Sequence, residues 1–556
     1  MFGKKMKNLK RYREIVSILA RHGFGYLLDE MGLFSRLSLK PNKNEEAGHD
    51  PATRGRHIRE ALEELGPAFI KLGQVAATRS DLIPEDILSE LEKLHDAVAP
   101  LPFHEIRGVL EEEIGDLKIA FAQIEEKAVA AASIGQVHRA VLHTGETVAV
   151  KVQRPKMASV IYTDMAILQE LALLAEQRLV WAEQYRIYEV IKELARSVQA
   201  ELDYTTEARN TDKIRKQFSD DPNIVIPRIY WEQTSNRVLT MEYIHGVKLN
   251  DFQAINHLGL SQKQLAERLV QSIFHQVLIE GFFHGDPHPG NIFALPGNRL
   301  AFIDFGMVGR LTPEMKRHFS SLVIAMMRRS TDGVVQSILK MGLTPDDVDQ
   351  EQLWLDIDQL TDKYYDVSLS NISLGEAVND LFDVAFRHRI HLPPDLALVG
   401  KTMITLESIV YSLDPEISIT QMTKPFGQQL LKERLHPKQL AGTAWREFID
   451  YGESLISLPK QLRDLSENIK KGRIQVDVGV PRLNVFLRKL DQIVNRLSYS
   501  IVLLSFSIIM CGLIIGSSLT RQQTLLWKIP AIEIGFVIAV FMLFWLIYSI
   551  FKSGRL

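Results

Sequence analysis

The stretch HGDPHPGNIF, residues 284–293, decides how this chain is read. Its two prolines bar it from a helix interior or a central strand. Yet it gathers His284, Asp286, His288 and Asn291 on one short loop. Three chemistries use such a set. A metal site could draw on the His-x-Asp-x-His ligands. A phosphoryl-transfer loop would use Asp286 to position an attacking oxygen and Asn291, five residues on, to hold magnesium. A polar turn would need these side chains only as caps.

Downstream, a turn at 295–298 leads into RLAFIDFG, residues 299–306. This apolar run reads as a buried strand that ends by presenting Asp304, with Gly306 freeing the chain beyond it. A carboxylate there matches the second magnesium ligand of a kinase-like site. No second histidine cluster follows in the 300s to complete a metallohydrolase. Upstream, TVAVKV at 147–152 alternates as a strand and follows the turn signal HTG. Its Lys151 is either a solvent-facing edge residue or a buried ammonium that requires an anionic partner. Residues 187–213 read as one helix that carries ELDYTTEARN, with Asp203 and Glu207 one turn apart on a shared acidic face. Residues 58–84 read as a helix pair interrupted at Gly66 and Pro67, with an apolar stripe of Leu62, Leu65, Phe69, Ile70 and Leu72. Lys71 and Gln74 share its polar face.

Together these residues resemble the UbiB/ABC1/ADCK (AarF) family of atypical protein-kinase-like proteins. The motifs are KLGQ at 71–74, AAASIGQV at 130–137, VAVK ending at Lys151, ELD at 201–203, HGDPHPGN at 284–291 and DFG at 304–306. All stand in the family's order, across roughly 50–420. The resemblance implies an α+β, bilobal protein-kinase-like fold with an N-terminal helical KxGQ extension, and ATP with Mg2+ as cofactors. It pairs Lys151 with Glu207, gives Asp286 the catalytic-aspartate position and assigns magnesium to Asn291 and Asp304. It sets Ala130, Ala131, Ala132, Ser133 and Gly135 in a loop over the nucleotide, and adds Glu242 and Ile244 to the nucleotide contacts. Alanines replace most of the glycines of ordinary kinases, which should stiffen that loop. It brings Lys71 and Gln74 onto Glu201 and Asp203 as a regulatory contact across the peptide-substrate side. The implied function is a membrane-anchored ATPase or atypical kinase supporting isoprenoid-quinone biosynthesis, of the ubiquinone type. The alternative is a small-molecule phosphotransferase of the aminoglycoside or choline kinase type, whose loops also read HGDxxxxN followed by ID.

Composition agrees with a kinase-like body plus additions. The 556 residues exceed one ordinary domain, and a net charge of −3 offers no basic field for nucleic acid. One cysteine, Cys511, excludes an internal disulfide and suits a reducing cytosol. No internal repeat or cleavable signal is evident. The expected organisation is a basic N-terminal helical segment at 1–48, the KxGQ extension at 49–118, a kinase-like N-lobe at 119–246 and a helical C-lobe at 247–436. Amphipathic helices and a linker follow at 437–495, then a two-helix transmembrane hairpin at 496–552. The run 497–519 is nearly uncharged, and about 22 residues at ~1.5 Å each give ~33 Å, enough for a hydrocarbon core of ~30 Å. The run 531–551 repeats the pattern. Lys and Arg flanking the two spans favour both ends in the cytoplasm, the side where ATP is found. Expected partners are membrane lipids and quinone-biosynthesis enzymes or lipid precursors.

Overall fold

A computed structural model describes residues 2–33 and 51–422, with short breaks at 78, 80–82, 95–97, 185, 329, 342–347, 365–372 and 391, then residue 426 and scattered helical positions between 500 and 541. The chain forms two compact units, Met1–Ala441 and Gly442–Leu556. The amphipathic helices and linker expected at 437–495 lie outside the described residues, and so does the expected hairpin at 496–552, with its topology, apart from those scattered helical positions.

Helices α1 (Phe2–Leu19), α2 (Pro51–Leu65) and α3 (Pro67–Ala76) open the first unit. Gly66, at φ 99°, separates α2 from α3, and Pro67 begins α3 where a missing N–H costs nothing. Phe69, Leu72 and Val75 of α3 join Ile15 and Val16 of α1 in one apolar core. Arg11 of α1 fixes this layer: it donates to both oxygens of the buried Asp164, each at 2.8 Å, and to Leu65 O at 2.7 Å. Helix α4 (Phe103–Ile114) belongs elsewhere, because its Ile106, Val109 and Leu110 pack under the N-terminal sheet against Val148, Val150 and Val152. The segment 103–114 therefore joins the sheet rather than the KxGQ extension.

That sheet holds β1 (Gln123–Ala131), β2 (Gly135–Val141), β3 (Thr147–Gln153) and β5 (Val238–Glu242), all antiparallel and in that order. Strand β3 is interior, so Lys151 is not an edge residue. Val148, Val150 and Val152 turn to the α4 side, which leaves Lys151 on the opposite face. The expected loop at 130–137 is mostly strand: Ala131 ends β1, Gly135 starts β2, and Ala132 N donates to Gly135 O at 2.8 Å across the turn.

Helix α5 (Met157–Arg178) precedes a second departure from expectation. Residues 187–213 are not one helix but α6 (Ile187–Ala200) and α7 (Tyr204–Gln217). Asp203, in extended geometry, ends the first run by capping the second: its side chain accepts from Thr205 N at 3.0 Å. It therefore shares no helix face with Glu207.

The C-terminal lobe is helical around small sheets. β4 (Ile224–Val225), β9 (Arg299–Phe302), β8 (Ile292–Leu295) and β6 (Val247–Lys248) form one, and β7 (Phe282–His284) pairs with β10 (Val308–Arg310). Gly297 and Asn298, both at positive φ, turn β8 into β9. Helices α8 (Gln262–Phe274) and α9 (Pro394–Leu413) pack in the same core, with Phe283, Phe302 and Phe305 fully buried. Helices α5 and α9 are long and apolar enough to cross a membrane by length and composition alone, yet both contribute to cores of this unit.

Candidate functional site

Lys151 lies among carboxylates. Its Nζ is 2.8 and 2.9 Å from the two oxygens of Glu207 on α7 and 3.5 Å from Asp304. Burial of Glu207 raises its carboxyl to about 7, even against the pull of Lys151. Asp304 moves the other way. The Lys151 charge outweighs burial and brings it down to about 2, with Lys71 adding to the effect. The ammonium, for its part, is lowered by burial but raised on balance by Asp304 and Glu207. Asp304 holds a left-handed backbone, φ 60°, and accepts from Gly306 N at 3.2 Å. That geometry is sparsely populated for residues other than glycine and concentrates at functional sites.

The hairpin β8–β9 brings Asn291 beside Asp304. Asn291 immediately precedes β8, Ile303 follows β9, and Ile303 N donates to Asn291 O at 2.9 Å. Asp286 lies on the same loop: its carbonyl accepts from His288 N at 2.7 Å and from Asn291 Nδ2 at 3.4 Å. Its carboxylate makes no hydrogen bond or ion pair with any described residue, although its charge acts on His284. The two imidazoles do not converge on a metal. His284 is buried against Phe305, ring centroids 5.0 Å apart, with Nδ1 accepting from Asp286 N. His288 instead caps its own turn by accepting from Gly290 N. Among the described residues no group of three His, Cys, Asp or Glu could hold a metal ion.

The loop rests on residues that its sequence did not reveal. Gln276 Oε1 accepts from His284 N at 2.9 Å, and Gly285 packs so closely on Leu398 of α9 that a Cβ would come within 2.6 Å. Above the site, Arg154 holds the alanine turn, donating to Ala132 O at 2.9 Å and to Ala99 O at 2.8 Å. Gly135 is the point of closest approach there: a Cβ would overlap Tyr204 Oη and come within 2.8 Å of Val152 O. Glu242 ends β5 and Ile244 follows it, on the segment that leads from the N-terminal sheet to β6.

Of the regulatory set, Lys71 Nζ reaches Glu201 at 2.7 Å. Burial raises the Glu201 carboxyl, and Lys71 offsets part of that rise. Gln74 Nε2 donates to Leu94 O at 3.3 Å, and Asp203 is committed to capping α7, bonding both Thr205 N and, at 2.7 Å, Thr205 Oγ1.

Lys151 and its carboxylate partners fall within a match to the ABC1 atypical kinase-like domain at 93–338, followed by the UbiB helical domain at 357–418 and the ABC1/UbiB kinase-like C-terminal domain at 481–552. A probable protein kinase UbiB of Marinobacter nauticus is 34% identical over 419 residues, covering 74% or more of each chain. The chain belongs to the UbiB/ABC1 family. Other relatives in this family's range include an uncharacterized protein of Synechocystis, 32% identical over 79% of this chain and 76% of its own. A Clostridium pasteurianum protein described as lying in the hydrogenase 1 5′ region is 31% identical over 98% of this chain and 99% of its own. A solved Mycobacterium tuberculosis protein in complex with erythromycin aligns with 66% of this chain and 93% of its own, at TM-score 0.47 and 23% identity. Within the UbiB/ABC1 match lie Lys151, Glu207, Asp286, Asn291 and Asp304, whereas Lys71 and Gln74 precede it. The helical-domain match contains the whole of α9, the helix under the 284–291 loop.

Proposed function

We propose that this UbiB/ABC1 protein binds ATP with Mg2+ and turns it over as an atypical kinase or ATPase that supports isoprenoid-quinone biosynthesis, of the ubiquinone type, at a membrane. The observation that carries this reading is Lys151 held between Glu207 and Asp304, with Asn291 at the adjoining strand end. The donor set fits the group: an amide and a carboxylate of low pKa suit a hard cation that prefers oxygen ligands. The lysine and the buried hairpin turn above it suit a phosphate chain.

Bound magnesium and triphosphate would supply charge neutralisation at the transferring phosphoryl group. The chain's own residues do the rest. Lys151, steered by Glu207, binds phosphate oxygens. Asn291 and Asp304 hold the cation, and Asp286, whose carboxylate makes no hydrogen bond or ion pair with a described residue, orients the attacking hydroxyl or water and takes its proton. Glu242 and Ile244 line the base side of the nucleotide. Lys71, anchored on Glu201, keeps α3 against the site and hinders entry of a protein substrate. That contact favours this reading over a small-molecule phosphotransferase. The apolar runs 497–519 and 531–551 anchor the protein, with the catalytic body on the cytoplasmic side.

The full chain should show slow ATP turnover, stimulated by anionic lipid vesicles and by phenolic mimics of quinone precursors. Asp286→Asn should lose turnover while retaining Mg-ATP binding. Efficient phosphorylation of generic peptides by the wild type in vesicle-free buffer would contradict the reading.

A further inference from the structure

We infer that the Tyr204 hydroxyl is a ligand of the nucleotide's phosphate chain, donating its proton to a phosphate oxygen beside Lys151. This inference rests on the nucleotide reading above. Tyr204 is 3% exposed, and its Oη has no hydrogen-bond partner. A buried hydroxyl without a partner is destabilising, and phenylalanine would fill the same volume without that cost. Packing alone therefore does not account for the oxygen.

Its surroundings show where the hydroxyl is directed. Ala208, Ile229, Leu239 and Met241 hold the ring in an apolar cluster. Lys151 Nζ lies over the ring face, 5.2 Å from its centroid. The hydroxyl end abuts Gly135, the first residue of β2 after the alanine turn, where a Cβ would overlap it. The ring thus has the lysine over its face and its oxygen against the hairpin proposed to bind phosphates. Neighbouring carboxylates are near enough to influence the phenol, yet none accepts its proton in a hydrogen bond. Burial, the largest influence, keeps the phenol protonated, so it acts as a donor. A phosphate chain is an acceptor-only anion and supplies what the hydroxyl lacks. A magnesium ion would instead require an oxygen lone pair from a ligand that carries no proton toward it.

The experiment uses full-length Tyr204→Phe beside the wild type and measures two quantities: the melting temperature without ligand, and the Kd values of Mg-ATP and of adenosine. The expected result is an unliganded melting temperature equal to or above that of the wild type. Mg-ATP binding should weaken about tenfold, the size of one hydrogen bond to a charged acceptor, with adenosine affinity unchanged. An unchanged Mg-ATP Kd overturns the inference. So does a lowered unliganded melting temperature, which would mean that the hydroxyl already serves the fold. A wild type that binds no Mg-ATP overturns the nucleotide reading and this inference together, whereas normal wild-type binding that persists in the variant overturns this inference alone.

Discussion

Lys151 contacts two carboxylates whose proton affinities diverge. Glu207 is raised to about 7 and Asp304 lowered to about 2. The folded state holds the Glu207 proton more tightly than the unfolded chain, whose carboxyl titrates near 4.5. Its contribution is complete below that value and is lost as pH rises through about 7. Thermal melts of the wild type and Glu207→Gln should therefore diverge between pH 4.5 and 7, the wild type falling relative to the variant; parallel curves would contradict this. Asp304 acts oppositely, its contribution fading only as pH falls toward about 2. Much at this scale was legible in the sequence. Lys151 stood inside an alternating apolar run where an ammonium needs a counter-charge, and Asp286, Asn291 and Asp304 stood on turns that packing did not require. The role of Asp203 was not legible, because capping and a distant ion pair call for the same side chain. Tyr204 stood in the quoted ELDYTTEARN without a role, since an unpartnered hydroxyl is visible only after the neighbours have been placed.

The turn between α6 and α7 matters most among the elements. The periodicity across 187–213 favours a continuous helix, but the chain breaks at 201–203 and Asp203 starts again with a cap. The break lets Glu201 face Lys71 while Tyr204 and Glu207 face Lys151. Asp203→Ala should lower stability by about 0.5–2 kcal/mol, the usual value of an N-cap, which a urea midpoint would register. It should also weaken Mg-ATP binding, because the cap sets the start of the helix that carries Glu207. The break at Gly66 and Pro67 was readable, since a glycine followed by proline leaves a helix little choice. The alanine turn was harder to read: small residues suit both a loop and a tight hairpin, and only the pairing with β2 decides between them.

For the whole molecule, the ordered motifs carried the resemblance that implied a bilobal kinase-like body. The assignment of α4 to the sheet was not implied, because an amphipathic stripe does not say which core it enters. The N-terminal layer reaches the site through the ion pair of Lys71 with Glu201. Lys71→Ala should change ATP turnover or nucleotide preference while Tm falls little; unchanged kinetics would place α3 outside the catalytic cycle. Asn291 and Asp304 are proposed to hold magnesium for a nucleotide steered by Lys151. The most direct test of that role is the Mg-ATP-induced rise in melting temperature of the wild type and of Asp304→Asn, since a ligand that binds only the folded state raises stability with its concentration. A clear rise is expected in the wild type and none in a variant that is folded without ligand. An equal rise in both would contradict that role.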